Sequence, residues 1–153
     1  MNNRKSNKVS KTKLKNNWLS KTLESLEKDV WGEPEYNNHL VTTCHRLRKK
    51  ALRDFETEDL RIMIGQNIGL KYLIPLALDK LDENILADGD LYDGDLLQAV
   101  LKSDKEYWKA EKENWKRMCG IFNRDISLLE SHYNTRSIKE EWFSTFAEFE
   151  RIN

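Results

Sequence analysis

The chain has 153 residues, which is about the length of one domain. Apolar residues make up 39% and charged residues 34%, and the fifteen aromatic side chains exclude a wholly disordered chain. Six Gly and two Pro are too few for the many turns of a β-sandwich or barrel, while two Cys exclude a disulfide scaffold and favour a reducing compartment.

The net charge is zero, but the charges are unevenly distributed along the chain. Residues 1–17 carry six basic side chains and no acid, whereas the remaining residues carry 20 basic and 26 acidic side chains. We expect residues 1–17 to be a basic disordered tail and residues 18–153 to form one all-helical domain. An acidic domain excludes a strongly basic nucleic-acid-binding fold and suits a basic partner.

No segment has the pattern of a signal peptide or a membrane span. The basic first residues are not followed by an apolar run of the required length. The most apolar region, residues 60–78, is interrupted by Arg61 and Lys71. We therefore expect a cytoplasmic protein that does not bind membranes.

The first half of the chain contains two predicted helices before a long apolar region. Apolar residues at helical spacing define these two helices. The first has Leu19, Leu23, Leu26 and Val30, and the second has Leu40, Val41, Cys44 and Leu47. Thr57 is predicted to cap the next helix, ahead of two acids in its first turn. Residues 60–81 then predict a central helix or helix pair, with Gly65 and Gly69 marking tight packing or a helix junction.

The second half predicts further helices from cap residues and apolar stripes. Asp95, Ser103 and Ser137 each precede an apolar run and are predicted helix caps. Trp108 and Trp115 are seven residues apart, which predicts that they share one face of one helix. Residues 126–129 predict a short helix. With about seven helices and no alternating strand pattern, the predicted fold is all-α, a compact single-domain bundle.

The densest charge lies in residues 79–95. This stretch holds seven acids against one base, and they are Asp79, Asp82, Glu83, Asp88, Asp90, Asp93 and Asp95 against Lys80. A calcium-binding EF-hand loop starting at Asp88 would need Gly where Asp93 stands and Glu where Ala99 stands, so the match fails. Two interpretations stay open: a solvated loop built on Asp-Gly turns, and an electrostatic docking surface for a basic protein.

No motif indicates an enzyme. The soft metal ligands lack any C-x-x-C or H-E-x-x-H spacing, and they are His39, Cys44, His45, Cys119 and His132. Cys44 lies on an apolar stripe, which predicts a buried core thiol rather than a nucleophile. We therefore expect no catalytic residue, no metal site and no cofactor.

Four separated segments, in order along the chain, carry a likeness to known proteins. They are residues 23–34 (LESLEKDVWGEP), 44–48 (CHRLR), 58–78 (with EDLR, GQNIGL and LIPLAL) and 92–97 (YDGDLL). These segments and their spacing resemble a family of bacterial contact-dependent growth inhibition (CDI) immunity proteins, over about residues 18–118. The basic residues 1–17 depart from the family pattern.

The resemblance implies a stoichiometric inhibitor rather than an enzyme. Such a protein binds and neutralises the toxic C-terminal domain of a sister cell's surface effector, and many of these toxins are nucleases. A nuclease cleft is basic because it holds a polyanion, and an acidic face can cover it. We predict that the toxin contacts Asp82, Glu83, Asp88, Asp90 and Asp93, with Tyr92 as an aromatic anchor.

Two other functions fit parts of the sequence. A nucleic-acid-associated small helical protein would use the Lys-rich tail, and its binding would be lost on deletion of residues 1–17. A metal-dependent hydrolase would use the acidic cluster, and Asp88→Ala or Asp90→Ala would abolish its activity. An immunity protein instead predicts one tight protein partner, no direct contact with nucleic acid, and association that weakens with salt.

Overall fold

The computed structural model describes residues 17–35 and 38–153. Nine α-helices and one 3₁₀ turn lie wholly within these residues, which contain no strand and one isolated backbone bridge, Thr22 to Ala51. The all-α prediction is confirmed, with more and shorter helices than the seven expected. The predicted disordered tail lies outside the described residues, apart from Asn17, which is helical.

The chain divides into two compact units between Phe55 and Glu56. In the first unit, α1 spans Leu23–Glu27, α2 spans His39–Leu47, and a 3₁₀ turn spans Leu52–Asp54. The prediction that one helix extends from Leu19 to Val30 is wrong, since Lys28 takes a left-handed conformation (φ 53°) that ends α1. Val30 lies beyond this end and is 72% exposed.

Arg48, just after α2, joins two segments of the first unit. Its buried guanidinium forms an ion pair with Glu27 and donates a hydrogen bond to the Asp29 carbonyl at 2.5 Å. It also lies over the Trp31 ring, 4.3 Å from the centroid. Arg48 thus fixes the chain that follows α1 against the end of α2, and it brings together two of the segments noted in the sequence.

The second unit is built around a short central helix. Its helices are α3 Thr57–Gly65, α4 Leu70–Glu83, α5 Asp95–Lys102, α6 Lys105–Ala110, α7 Lys112–Arg124, α8 Ile126–Ser131 and α9 Arg136–Glu150. Helix α5 packs against α3, α4 and α9. Its first turns are buried, including Leu96, Leu97 and Val100. The segment that leads into α5 is therefore attached to the core of the unit.

The long apolar region of the sequence is a helix pair. Helix α3 ends at Gly65, and Asn67 (φ 58°) and Gly69 (φ 66°) turn the chain into α4. This confirms Gly65 and Gly69 as markers of a helix junction. Pro75 lies inside α4, as its sixth residue.

The predicted helix caps are displaced by one residue or carry out other roles. Glu56, not Thr57, caps α3 through a reciprocal pair of hydrogen bonds with Asp59. Gly94 (φ 87°), not Asp95, precedes α5. Ser103 ends α5, and its hydroxyl donates to the Val100 carbonyl rather than capping α6.

Two further predictions about α6 to α9 need correction. Asp104 caps α6, and α9 begins at Arg136, before the Ser137 that was predicted to cap it. Trp108 and Trp115 lie on different helices, because the helix is interrupted at Glu111, between α6 and α7. The short helix predicted over residues 126–129 is present as α8.

Aromatic side chains fill much of the core of the second unit. Trp108 and Trp142 are fully buried, and the Phe122 ring stacks on Phe146 with centroids 3.8 Å apart. The Trp108 ring meets Phe149 edge to face at 4.8 Å, an arrangement that the charge distribution of aromatic rings favours. No helix in the described part of the chain is long and apolar enough to span a membrane.

Candidate functional site

The acidic run of the sequence starts on α4 and ends at the first residue of α5. Asp79, Asp82 and Glu83 lie on the last two turns of α4, and we call them the helical half. Residues 84–94 connect the two helices, and we call them the acidic loop. The acidic loop carries Asp88, Asp90 and Asp93 and no basic residue.

Arginines of α7 neutralise most of the helical half. Arg117 lies 2.9 Å from Asp79 and 3.6 Å from Asp82, and Arg124 lies 2.6 Å from Asp82. The hydrogen bond from Arg124 holds the pKa of Asp82 below its usual range. Glu83 is exposed and forms no ion pair with a described residue. The field of this half is therefore largely cancelled within the protein.

Asp95 sets the conformation of the acidic loop. Its buried carboxylate accepts hydrogen bonds from the backbone N–H groups of Gly89 (2.7 Å), Leu91 (3.0 Å) and Tyr92 (3.4 Å). Three backbone donors are thereby satisfied by one charged acceptor. Since Asp95 begins the central helix α5, the loop is tied to the core at this point.

Gly94 completes the attachment of the loop. A Cβ atom at this position would lie 2.3 Å from Cζ2 of the buried Trp142, and the backbone has a positive φ of 87°. Trp142 in turn donates from its indole nitrogen to the Gly94 carbonyl at 3.3 Å. Both the conformation and the close approach require glycine.

Glu58 and Arg61 of α3 lie beside Asp90 of the loop. Arg61 forms an ion pair with Glu58 of the same helix and lies 3.7 Å from Asp95 at the start of α5. Burial alone would raise the pKa of Glu58, but hydrogen bonds from Arg61 and Asp90 lower it. A hydrogen bond between the Glu58 and Asp90 carboxyl groups, together with the negative charge of Glu58, raises the pKa of Asp90.

Asp93 links the acidic loop to the connection between α8 and α9. Its Oδ2 atom lies 3.2 Å from Nε2 of His132 and accepts a hydrogen bond from the Tyr133 hydroxyl at 3.1 Å. The Asn134 side chain donates to the Asp93 carbonyl at 2.8 Å. Residues 132–134 thus form a second part of the same surface, 40 residues along the chain.

An open cavity of about 190 Å³ is lined by residues of α3, the acidic loop and α5. Its walls include Arg61, Ile64, Leu91, Tyr92, Gln98 and Lys102. Tyr92 is half-buried here, and burial raises its pKa. The Gln98 Oε1 atom is buried and has no hydrogen-bond partner among the described residues.

The amino-acid sequence from α1 into α7 matches a known family. A family model for CDI immunity proteins matches residues 25–118, which is more than half of the chain. The chain belongs to the CDI immunity protein family. The resemblance noted in the sequence is thereby confirmed. No curated protein and no solved structure was found to match.

CDI immunity proteins are inhibitors of toxins and not enzymes, so this chain has an immunity function against a CDI toxin. The family match includes the acidic loop and the Glu58–Arg61 pair. It ends before Arg124 and before residues 132–134. The loop therefore lies inside the family match, whereas some of the residues that contact it lie outside.

The six residues predicted to bind the toxin have different surroundings. Asp88 and Asp90 are exposed on the loop and form no ion pair with a described residue, while Asp82 and Asp93 already have partners. Tyr92 lines the cavity, and Glu83 lies at the end of α4. Their role in binding stays a prediction. Sequence reasoning missed residues 132–134, since nothing in their local sequence indicates contact with Asp93.

The cysteines and histidines are separated in the described part of the chain. No group of three or more His, Cys, Asp and Glu side chains there has the arrangement of a metal site. Cys44 is buried, which confirms the predicted core thiol, and burial raises its pKa. Burial and the nearby Glu150 raise the pKa of Cys119 to about 11, so its thiolate is scarce at neutral pH.

Proposed function

We propose that this immunity protein neutralises a nuclease toxin by docking its acidic loop against the basic cleft with which the toxin holds nucleic acid. The observation that supports this is the contrast along the acidic run. Asp79 and Asp82 are paired with arginines, whereas Asp88 and Asp90 are exposed and form no ion pair with a described residue. Exposed carboxylates on a fixed loop can take the place of phosphates.

The loop is suited to this role because it is held in one conformation before binding. Asp95 and Gly94 attach it to the core, and Asp93 attaches it to residues 132–134. A fixed loop loses little conformational entropy when a partner binds. Its charges also attract a basic partner from a distance, which raises the association rate.

The cytoplasm is the location that fits this proposal. Nucleic acids are the substrates of a nuclease, and they lie there together with the incoming toxin. Both cysteines are free thiols, as expected in a reducing compartment.

Co-expression with the toxin domain encoded immediately upstream tests the proposal. Wild-type protein should restore host growth and co-purify with the toxin. The double charge reversal Asp88→Lys with Asp90→Lys should weaken the complex at least about tenfold and reduce rescue. The matched control is Glu106→Lys with Glu113→Lys, which makes the same charge change at exposed positions of α6 and α7.

Two results would contradict different parts of the proposal. Equal binding by wild type and the loop variant would place the toxin contact on another face. A purified toxin domain that degrades neither tRNA nor plasmid DNA would contradict the nuclease assignment alone, provided that the immunity protein still forms the complex and restores growth.

A further inference from the structure

Tyr133 is exposed in a way that the fold does not require. It lies between α8 and α9 and is 85% exposed, the largest value among the exposed large hydrophobic residues of the described chain. Nothing in the packing of the second unit uses the outer face of this ring. Exposed aromatic rings of this kind are enriched at the centres of protein interfaces.

The ring is exposed but not free to move. It stacks on His132 with centroids 4.3 Å apart, and its hydroxyl donates to Asp93 at 3.1 Å. The His132 side chain is itself only 9% exposed, and its ring lies 6.3 Å from the buried Trp142. Tyr133 is thus positioned before any partner arrives, which lowers the entropy cost of using it in binding.

The charges near the ring indicate the chemistry of the partner. Asp93 accepts a hydrogen bond from the Tyr133 hydroxyl, and this bond, together with the negative charges of Asp93 and Asp88, raises the pKa of Tyr133. The nearest bases along the chain have other partners: Arg136 pairs with Glu140, and Lys139 donates to the Glu130 carbonyl. An aromatic face in a negative potential attracts a cation, and arginine stacks on such a face better than lysine does.

We propose that Tyr133 is a binding hot spot whose exposed ring stacks against an arginine of the toxin, with Asp88 and Asp93 balancing the guanidinium charge. This inference rests on the proposed function and adds a residue that lies outside the family match. It also assigns the role of aromatic anchor to Tyr133, whereas the sequence suggested Tyr92. The Asp93 Oδ1 atom accepts no hydrogen bond from a described residue and is the acceptor expected for the arginine N–H.

Three substitutions at one position separate the ring from its hydroxyl and from its bulk. Tyr133→Ala should weaken binding of the upstream-encoded toxin domain by about 30-fold or more, mainly through faster dissociation. Tyr133→Leu keeps apolar bulk but has no aromatic face, so its loss should be similar. Tyr133→Phe keeps the ring and loses the hydrogen bond to Asp93, so it should stay within about fivefold of wild type.

Leu128→Ala is the matched control. Leu128 is 47% exposed on the neighbouring α8, and its truncation should leave the dissociation constant unchanged. Thermal unfolding of all four variants verifies that they fold, which the exposure of both side chains predicts. Arginine-to-alanine variants of the toxin domain complete the test. For one of them, the loss of binding free energy should be strongly non-additive with that of Tyr133→Ala and additive with that of Leu128→Ala.

Binding by Tyr133→Ala within threefold of wild type would overturn the inference, as would equal binding by the Leu and Phe variants. The charge reversal at Asp88 and Asp90 separates the two proposals. If that reversal weakens binding while Tyr133→Ala does not, the hot spot is wrong and the docking loop stands. If neither change weakens binding, both proposals are wrong.

Discussion

The two halves of the acidic run carry three acidic residues each and have opposite surroundings. In the helical half, Asp79 and Asp82 face arginines of α7. In the acidic loop, Asp88 and Asp90 form no ion pair with a described residue, and Arg61, whose charge acts on Asp90, is already bound to Glu58. The halves also differ in the groups that hold them in place. The helical half forms ion pairs at the surface, whereas the acidic loop is held by the buried Asp95 and Trp142.

This difference shows that the number of acidic residues in a stretch of sequence does not give the net charge that the folded surface presents to a partner. A carboxylate whose charge is balanced nearby contributes little at the distance of an approaching molecule. Asp88 and Asp90 stay without an ion pair because the loop is fixed by Asp95, by the contact of Gly94 with Trp142 and by Asp93. The following predictions alter one half at a time.

Gly94→Ala should have the largest effect on stability. The positive φ disfavours any side chain, and the new Cβ would collide with Trp142, which is fully buried. We expect a loss of about 3–4 kcal/mol in the free energy of unfolding, measured by urea denaturation.

The matched control for this prediction is Gly120→Ala. Gly120 lies inside α7, and nothing lies within 4 Å of the position of its Cβ. Alanine should therefore stabilise the helix by about 0.5–1 kcal/mol. Equal effects of the two substitutions would show that the contact between Gly94 and Trp142 does not fix the loop.

Asp95→Ala should have the next largest effect. It leaves the backbone N–H groups of Gly89, Leu91 and Tyr92 without their acceptor. We expect a loss of about 2–3 kcal/mol and faster amide hydrogen exchange at these three residues. Unchanged exchange there would mean that the carboxylate does not organise the loop.

Asp93→Ala should have a smaller, local effect. The change removes the acceptor shared by His132 and Tyr133, and we expect a cost of about 1 kcal/mol. Amide exchange should become faster in residues 132–134 and stay unchanged in α7. Asp93→Asn, which keeps an oxygen acceptor, should show less of the effect, and an equal loss in both variants would rule out the hydrogen bond as its cause.

Asp90→Asn should produce the smallest change, and its sign should depend on pH. Glu58 raises the folded-state pKa of Asp90, so ionised Asp90 destabilises the fold above its pKa. The variant should therefore melt slightly above wild type at pH 7. The gain should vanish as the pH falls below about 4, where Asp90 is protonated in both states. A gain that persists at pH 3 would contradict this cause.

Much of the fold could be predicted because helical spacing is a local signal. The apolar stripes around Leu60 and Leu73 identified the pair α3 and α4, and residues 126–129 identified α8. Helix caps were less predictable, because a carboxylate or hydroxyl oxygen can accept hydrogen bonds from backbone N–H groups outside the helix that follows it. Asp95 resembles a helix cap in sequence, yet its oxygens bind the preceding loop.

The candidate site could be predicted only in part. The acidic run and the family likeness are visible in the sequence, and so are Asp88 and Asp90. The neutralising arginines are not, since Arg117 and Arg124 lie about 40 residues further along the chain from their partners. The contact of Asp93 with Tyr133 is equally distant, and it depends on how α8 and α9 pack.

The most direct test of the central claim is the salt dependence of the association rate with the toxin domain. Two variants are compared with wild type. The loop variant carries Asp88→Asn and Asp90→Asn. The helical variant removes two acids together with the arginines that balance them, and carries Asp79→Asn, Asp82→Asn, Arg117→Gln and Arg124→Gln. We predict that the loop variant associates about tenfold more slowly at low salt with a flatter salt dependence, while the helical variant stays within about twofold of wild type. Equal losses in both variants, or a larger loss in the helical one, would contradict the claim that the loop presents most of the charge that the toxin meets.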